Sequence, residues 1–362
     1  MDGDLVSLLL QNLERLDEDG SESDRQGVYH TLAVFEGLAS QTGVAERVGN
    51  DAVLRYLLQR LQRKETPVSQ NKQYAAEVLQ VLLQSPSEVR QRVLKLKAVD
   101  AILQLLSAYR KRDPQKDSHE EEWVEDLFDA LTCIIETPAG KHAFLEGEGI
   151  ELMLIMLREG KMSKTRALKV IDHATSGQGQ EVCERLVEAA GLKTLFSTFM
   201  KKTESVTAEH ILGIFAAMLR LLPGESDSRI RTLAKFVEKD FEKVVKIMKL
   251  RREYSTRLAA ADEQIRVERE STLPEDLDEV ADEWLSRRLD AGLYCLQTLN
   301  LILAWLVAED RGARQHIVSA LAERDEDLST LKGSLEEQLR DAENGDDKDA
   351  AEMLATLVDC LK

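Results

Sequence analysis

An all-α solenoid is the fold class this sequence predicts, and three observations carry that expectation. First, one apolar helix pattern returns at intervals of about 42 to 50 residues, entered by small or acidic turn residues at Gly3, Asp51, Asp100, Gly149 and Gly191. Second, each copy is followed by a longer amphipathic helix whose apolar residues recur at three- and four-residue steps. Third, the composition is 43% apolar but only 5% aromatic, with 6 prolines and no Ser/Gly-rich linker, which suits Leu-, Val- and Ala-filled helix packing. Helices repeating every ~40 to 47 residues without strands mark armadillo or HEAT solenoids. In such a fold each repeat packs only on its neighbours, so 362 residues need no single growing core.

The elements follow in order. The first helix of the unit reads Val6-Ser7-Leu8-Leu9-Leu10, and returns at Leu54–Leu61, Ile102–Leu106, Leu152–Leu157 and Leu192–Phe196. The second, longer helix carries Val28, Leu32, Phe35 and Leu38, then Tyr74, Val78, Leu79 and Leu82. Its later copies carry Leu127, Leu131 and Ile134, then Leu168, Val170 and Ile171, then Ile211, Phe215 and Met218. A short third helix, such as the one around Val89–Leu94 or Cys183–Val187, leads into the next turn, and three helices per unit favour armadillo over two-helix HEAT geometry. Ser69, Ser163 and Thr207 are the expected helix caps, and Pro138 and Pro223 the expected stops. After Leu222 the period is expected to break. A long charged helix over 241–271, a turn at 273–276 and a second long helix over 283–307 would form a hairpin, and an acidic segment ends in a helix around Met353, Leu354, Leu357 and Leu361. The prediction is therefore an armadillo-type, right-handed superhelical solenoid of three-helix repeats with a C-terminal long-helix cap. About five repeats span 1–238, the first incomplete, and the capping region with its helical hairpin spans 239–362.

Composition excludes several functions. The formal net charge is −18, the wrong sign for direct phosphate binding, so no nucleic acid is expected and a basic peptide or domain is the natural partner. No apolar run reaches the roughly 18 to 20 residues of a membrane-spanning helix, and the acidic opening lacks the basic start of a signal peptide. Cys133, Cys183, Cys295 and Cys360 are scattered and read as reduced thiols. The histidines form no HExxH and His119 stands in a charged helix start; the glycine pairs 147/149 and 177/179 complete no phosphate-binding loop; no nucleophile motif occurs. No enzyme, cofactor or metal is expected.

Function should then sit on a face. Importin-type armadillo proteins bind basic signals with a ladder of Trp and, four residues on, Asn on the long helix of each repeat. The corresponding pairs here are Ala33/Gly37, Glu77/Val81, Asp129/Cys133, Lys169/His173 and Gly213/Ala217, so the ladder is absent. Recognition of a basic segment must use carboxylates instead, and Glu77, Asp126, Asp129 and Asp172 are the candidates.

Several strings resemble the beta-catenin-like protein 1 family of armadillo-repeat nuclear proteins. They are Gln11-Asn12-Leu13-Glu14-Arg15-Leu16-Asp17-Glu18, Phe144–Ile150, Met156-Leu157-Arg158-Glu159, Ala167–Ala174 and Arg287–Leu293. The resemblance implies a nuclear, spliceosome-associated adaptor that recognises basic localisation signals, with the Myb-like core subunit of the Prp-nineteen complex as the expected partner. The string Ala167–Ala174 makes Lys169, Asp172 and His173 the preferred centre of the face. Family members carry a further N-terminal segment, so the apolar 5–10 run is expected to be a bare edge of a shortened chain, able to pair copies into a homo-oligomer. The alternative function is a structural scaffold, or a nuclear-transport-like adaptor, engaging partners through its helical ends.

Overall fold

The computed structural model describes residues 2–41, 43–84, 87–201, 205–271, 277–345 and 347–362, the side chains of 2–4, 87, 278 and 279 excepted. The expected turn at 273–276 lies outside the described residues. Those that are described form helices, with no strand among them. Two compact units divide the chain, Met1–Thr194 and Leu195–Lys362. The division at 238/239 rests on the repeat pattern instead, and as a domain boundary it is a proposal.

In the first unit the helices come in threes. They are α1 (Asp2–Arg15), α2 (Glu22–Ala39) and α3 (Ala45–Val48), then α4 (Asp51–Gln62), α5 (Gln70–Gln84) and α6 (Ser87–Lys95). The series continues with α7 (Ala98–Leu106), α8 (His119–Ile135) and α9 (Pro138–Glu146), then α10 (Gly149–Glu159), α11 (Ser163–Thr175) and α12 (Gln180–Glu188). The long second helices stack in sequence, α2 on α5, α5 on α8 and α8 on α11. Their inward residues, among them Leu32, Phe35, Leu79, Leu127, Leu131 and Ile171, are fully buried. Each such leucine contributes about 1.5–3 kcal/mol, which is what holds a helix too short to persist alone.

The joints between repeats have their own geometry. Lys97, Glu148 and Ala190 each take positive φ (57°, 55° and 58°) in the residue before the next first helix. Asp51 and Gly149 begin α4 and α10 as expected, whereas Asp100 lies inside α7 and Gly3 inside α1. Of the expected caps, Ser69 Oγ accepts the Lys72 N–H at 3.2 Å. Ser163 instead is the buried first residue of α11, and Thr207 falls within α14 (Ser205–Leu221); neither caps its helix. Pro138 opens α9 behind a Thr137 cap, where its missing N–H costs nothing. At the front, α1 buries Val6 and Leu13 and leaves Leu5 and Leu8 48% and 54% exposed.

Buried charges tie the repeats. Arg60 is closed by the carboxylates of Glu18 and Glu65, the latter at 2.6 Å. Lys141 Nζ donates to the carbonyls of His173 and Ala174 at 2.7 and 3.0 Å, capping the C-terminal end of α11. Burial pushes its ammonium down to about 8.

The second unit opens with the end of α13 (Gly191–Met200) and contains α14, α15 (Asp227–Ser271), α16 (Leu277–Asp290), α17 (Leu293–Glu309), α18 (Arg311–Ala322), α19 (Leu328–Asn344) and α20 (Lys348–Cys360). After Leu222, where the period is expected to break, α17 packs on α14, α15 and α19, and α20 packs on α17 and α19. The helix that follows the short front of α15 runs on to Ser271.

Inside α15 the backbone leaves the helix at Glu238 (ψ 158°) and turns through Lys239, Asp240 and Phe241, all at φ 55° to 60°. Left-handed backbone costs roughly 1–2 kcal/mol per non-glycine residue, so this turn needs support. Lys243 supplies part of it by bridging Glu238 at 2.9 Å and Glu242 at 2.8 Å. Phe241 stacks on His316, ring centroids 5.3 Å apart, and supplies more. The second long helix expected over 283–307 is broken, with α16 and α17 bent by 58°. Gly292 is the reason: it sits at φ +97°, and a Cβ there would come within 2.3 Å of the Tyr254 ring.

Candidate functional site

Glu77, Asp126, Asp129, Lys169, Asp172 and His173 all lie on the stacked long helices α5, α8 and α11 of the first unit. All six are half-buried, at the boundary between the packed interior and solvent. That placement follows from the helical frame. Leu79, Leu127, Leu131, Leu168 and Ile171 turn inward, so residues about a third of a turn away emerge on the rim.

The structure joins these residues in pairs. Gln73 Nε2 donates to Glu77 Oε2 at 3.1 Å and to Asp126 Oδ2 at 3.2 Å, so one amide bridges carboxylates from two repeats. Burial pushes Asp126 up to about 7, with Glu77, Asp129 and Glu122 adding like-charge repulsion against the stabilising amide. Asp126 is therefore a carboxyl that exchanges its proton near neutral pH. Glu122, Asp126 and Asp129 are spaced by four and three residues along α8, which puts them on one side of that helix.

Lys169 Nζ donates to Asp129 Oδ1 at 2.8 Å across α11 and α8, with both side chains about 40% exposed. His173 Nδ1 stands 3.6 Å from Glu136 Oε1, and Arg90 Nη1 bonds the other oxygen of that carboxylate at 2.9 Å. Lys169 and His173, singled out from the sequence, thus link neighbouring repeats. Asp172 shares their helix, and both it and His173 are engaged in further interactions. The same stitching runs toward the N-terminal repeats, where Tyr74 Oη donates to Glu36 at 2.5 Å and its ring lies 5.0 Å from that of Tyr29. Burial and the Glu36 carboxylate together raise the Tyr74 hydroxyl far above its ordinary range.

One feature was missed by sequence reasoning. A cleft of about 370 Å³ opens at the starts of α2 and α5, lined by Glu18, Asp19, Glu22, Glu65, Tyr29 and Asn71 among others. Its acids are engaged: Glu18 and Glu65 with Arg60, Asp19 with Arg63, Glu22 with Arg25. The acidic run Asp17-Glu18-Asp19 was the available signal, but its cations sit more than 40 residues away on the next repeat, as the 42-residue separation of Arg60 from Glu18 shows. Among the described residues no group of three or more His, Cys, Asp or Glu side chains is placed to hold a metal ion. Cys183 and Cys295 are buried, Cys133 and Cys360 half-buried, and all four are unbridged.

Residues 1–336 match the family described as catenin-beta-like, Arm-motif containing nuclear. The chain belongs to that family. Beta-catenin-like protein 1 of Rattus norvegicus is 40% identical over 318 residues, covering 84% of this chain and 56% of the rat protein. The Homo sapiens protein is 39% identical over the same length, and the homolog of Schizosaccharomyces pombe 35% identical over 338 residues, 92% of this chain and 59% of that protein. The chain thus spans a little more than half the length of these relatives. Among solved structures, a computationally designed armadillo repeat protein for modular peptide recognition aligns over 67% of this chain and 92% of its own, at TM-score 0.51 and 15% identity. A chain from work on the interaction between cadherin and beta-catenin aligns over 98% of this chain and 60% of its own, at TM-score 0.50 and 14% identity. These two likenesses show the fold alone. Family and fold are those of armadillo-repeat solenoids.

Proposed function

We propose that this member of the catenin-beta-like family is a nuclear protein-binding adaptor of the pre-mRNA splicing machinery. In this reading it holds basic, localisation-signal-like segments of splicing partners on the acidic rim of α5, α8 and α11. The Myb-like core subunit of the Prp-nineteen complex is the partner that the family resemblance suggests. The observation that carries the reading is the Glu77–Gln73–Asp126 bridge with Asp129 beside it. Three carboxylates from adjacent repeats stand together on half-exposed helix sides, and Lys169 pairs with Asp129. A lysine or arginine laid across the rim gains charge-assisted bonds to two repeats at once and relieves the repulsion that burdens Asp126. In this reading Lys169, Asp172 and His173 set the spacing of the rim, and a ligand cation competes with Lys169 for Asp129.

The test is binding of a labelled Lys/Arg-rich signal peptide across a salt series. Ion pairing predicts affinity that falls steeply with salt, because the Debye length shrinks from about 10 Å at 0.1 M to about 3 Å at 1 M. Reversal of Glu77, Asp129 and Asp172 to lysine should abolish it. Unchanged affinity in that variant, or no salt dependence, would sink the groove reading. It would favour the second one, a scaffold engaging partners through its helical ends, for which the exposed Leu5 and Leu8 of α1 speak.

A further inference from the structure

Beyond the acidic rim, the second unit carries an outward helix face of a different character. The rear of α15 and α16 are held together by their own polar contacts. Glu268 accepts from Arg287 Nη1 and Nη2 at 2.5 and 2.9 Å and from Trp284 Nε1 at 3.3 Å. Asp262 accepts from Arg288 Nε at 2.8 Å. At about 100° per residue, Trp284, Arg287 and Arg288 occupy one side of α16. Asp282, Leu285, Ser286, Leu289 and Asp290 occupy the other, and every one of them is exposed.

Two properties of that open side decide what fits it. Leu285 and Leu289 are one turn apart and 47% and 49% exposed, an aliphatic ridge that gains nothing from water. The charges beside the ridge are Asp282, Glu283 and Asp290, all carboxylates, because both arginines of α16 are spent on α15. We propose that this face of α16 docks a basic amphipathic helix of a partner protein, its apolar ridge against Leu285 and Leu289 and its lysines or arginines against the flanking acids. A straight ridge with i, i+4 leucines matches the helix-in-groove mode, in which a partner helix lays its own apolar stripe alongside. A second copy is disfavoured by charge, since pairing α16 with α16 confronts carboxylates with carboxylates. An extended basic segment would leave the leucines uncovered.

The experiment uses the full chain and a labelled synthetic Leu/Lys peptide of about four helical turns, with the Leu/Glu peptide of the same pattern as control. The Leu/Lys peptide should bind and the Leu/Glu peptide should not. Leu285→Asn with Leu289→Asn should weaken binding by about tenfold or more, the size of a lost anchor. Asp282→Lys with Asp290→Lys should weaken it comparably and let the Leu/Glu peptide bind. All four residues are exposed, so thermal unfolding by circular dichroism should be unmoved, and the charge variant keeps both leucines should the other variant lose structure. Because the acidic rim would also attract a lysine-rich peptide, the leucine and acid variants are measured both in the native chain and with Glu77, Asp129 and Asp172 reversed to lysine. The same fold-loss in both backgrounds separates the proposal from the acidic rim. Affinity indifferent to the leucine and acid pairs would overturn it. So would a concentration-dependent dimer of the chain, in sedimentation, that the Leu285/Leu289 variant abolishes.

Discussion

Replacing Asp126 with asparagine isolates the cost of the acidic rim. The substitution keeps the shape and an oxygen for Gln73 Nε2 but removes the titrating group. In the folded chain Asp126 is raised to about 7, against an ordinary 3.8, chiefly by burial and then by Glu77, Asp129 and Glu122. A carboxyl with a raised folded pKa binds more protons folded than unfolded between those two values, so its contribution to stability falls as pH rises through that window. At about 1.36 kcal/mol for each pH unit between those two values, the upper bound is near 4 kcal/mol. Because Asp126 is only half-buried, solvent screening cuts this to ~1–2 kcal/mol. Asp126→Asn is therefore expected to be neutral near pH 4 and stabilising above pH 8. Local opening of α8, read by amide hydrogen exchange, is the fitting assay, since a repeat chain does not unfold in one step. Equal protection of the two proteins at pH 8, or a gain as large at pH 4 as at pH 8, would refute the reasoning.

Three further perturbations follow from the packing. Gly292→Ala forces a methyl group toward the Tyr254 ring at a φ of +97°, and should lower the thermal midpoint of the second unit by the equivalent of roughly 1–3 kcal/mol in a calorimetric scan. Arg229→Ala should cost about 3–5 kcal/mol in the local opening of the front of α15, read by amide hydrogen exchange. That side chain is 2% exposed, pairs with Glu309 through Nε at 3.0 Å, bonds the Met218 carbonyl at 3.2 Å and covers Trp305 at 4.7 Å. A double-mutant cycle of Lys169→Ala and Asp129→Ala should return a coupling under about 1 kcal/mol, because both partners are well exposed.

Much of the fold was legible because the armadillo pattern is local. The inward leucines of α2, α5, α8 and α11 are set by helical period, and that period is visible in any window of a dozen residues. What escaped depended on contacts distant in sequence. The packing of α17 on α14 and of α20 on α17 was not visible, because it joins helices that other helices separate along the chain. The break at Gly292 is decided by Tyr254, on another helix, and cannot be read from 283–307 alone. Residues of the acidic rim could be named by the helical frame. Their pairing could not, since Gln73 with Asp126, and Lys169 with Asp129, join side chains 53 and 40 residues apart.

The absent Trp/Asn ladder and the observed stitching bear on the same point. Where an importin-type groove offers flat aromatic walls, this rim offers carboxylates already shared by Gln73 and Lys169. Under the proposed function a ligand cation must displace or outbid an internal partner, and the gain per contact is a difference between two charge-assisted bonds. Binding built that way is weak for one isolated lysine and grows only when several cations engage successive repeats together. The rim should then read density of positive charge over the distance from Glu77 to Asp172, and shortening a basic peptide should cost affinity more steeply than exchanging arginine for lysine within it. A peptide series truncated by one residue at a time, compared with an Arg-to-Lys series of fixed length, measures this directly. Equal sensitivity to both would mean that specific bidentate arginine sites, and not summed charge, govern recognition.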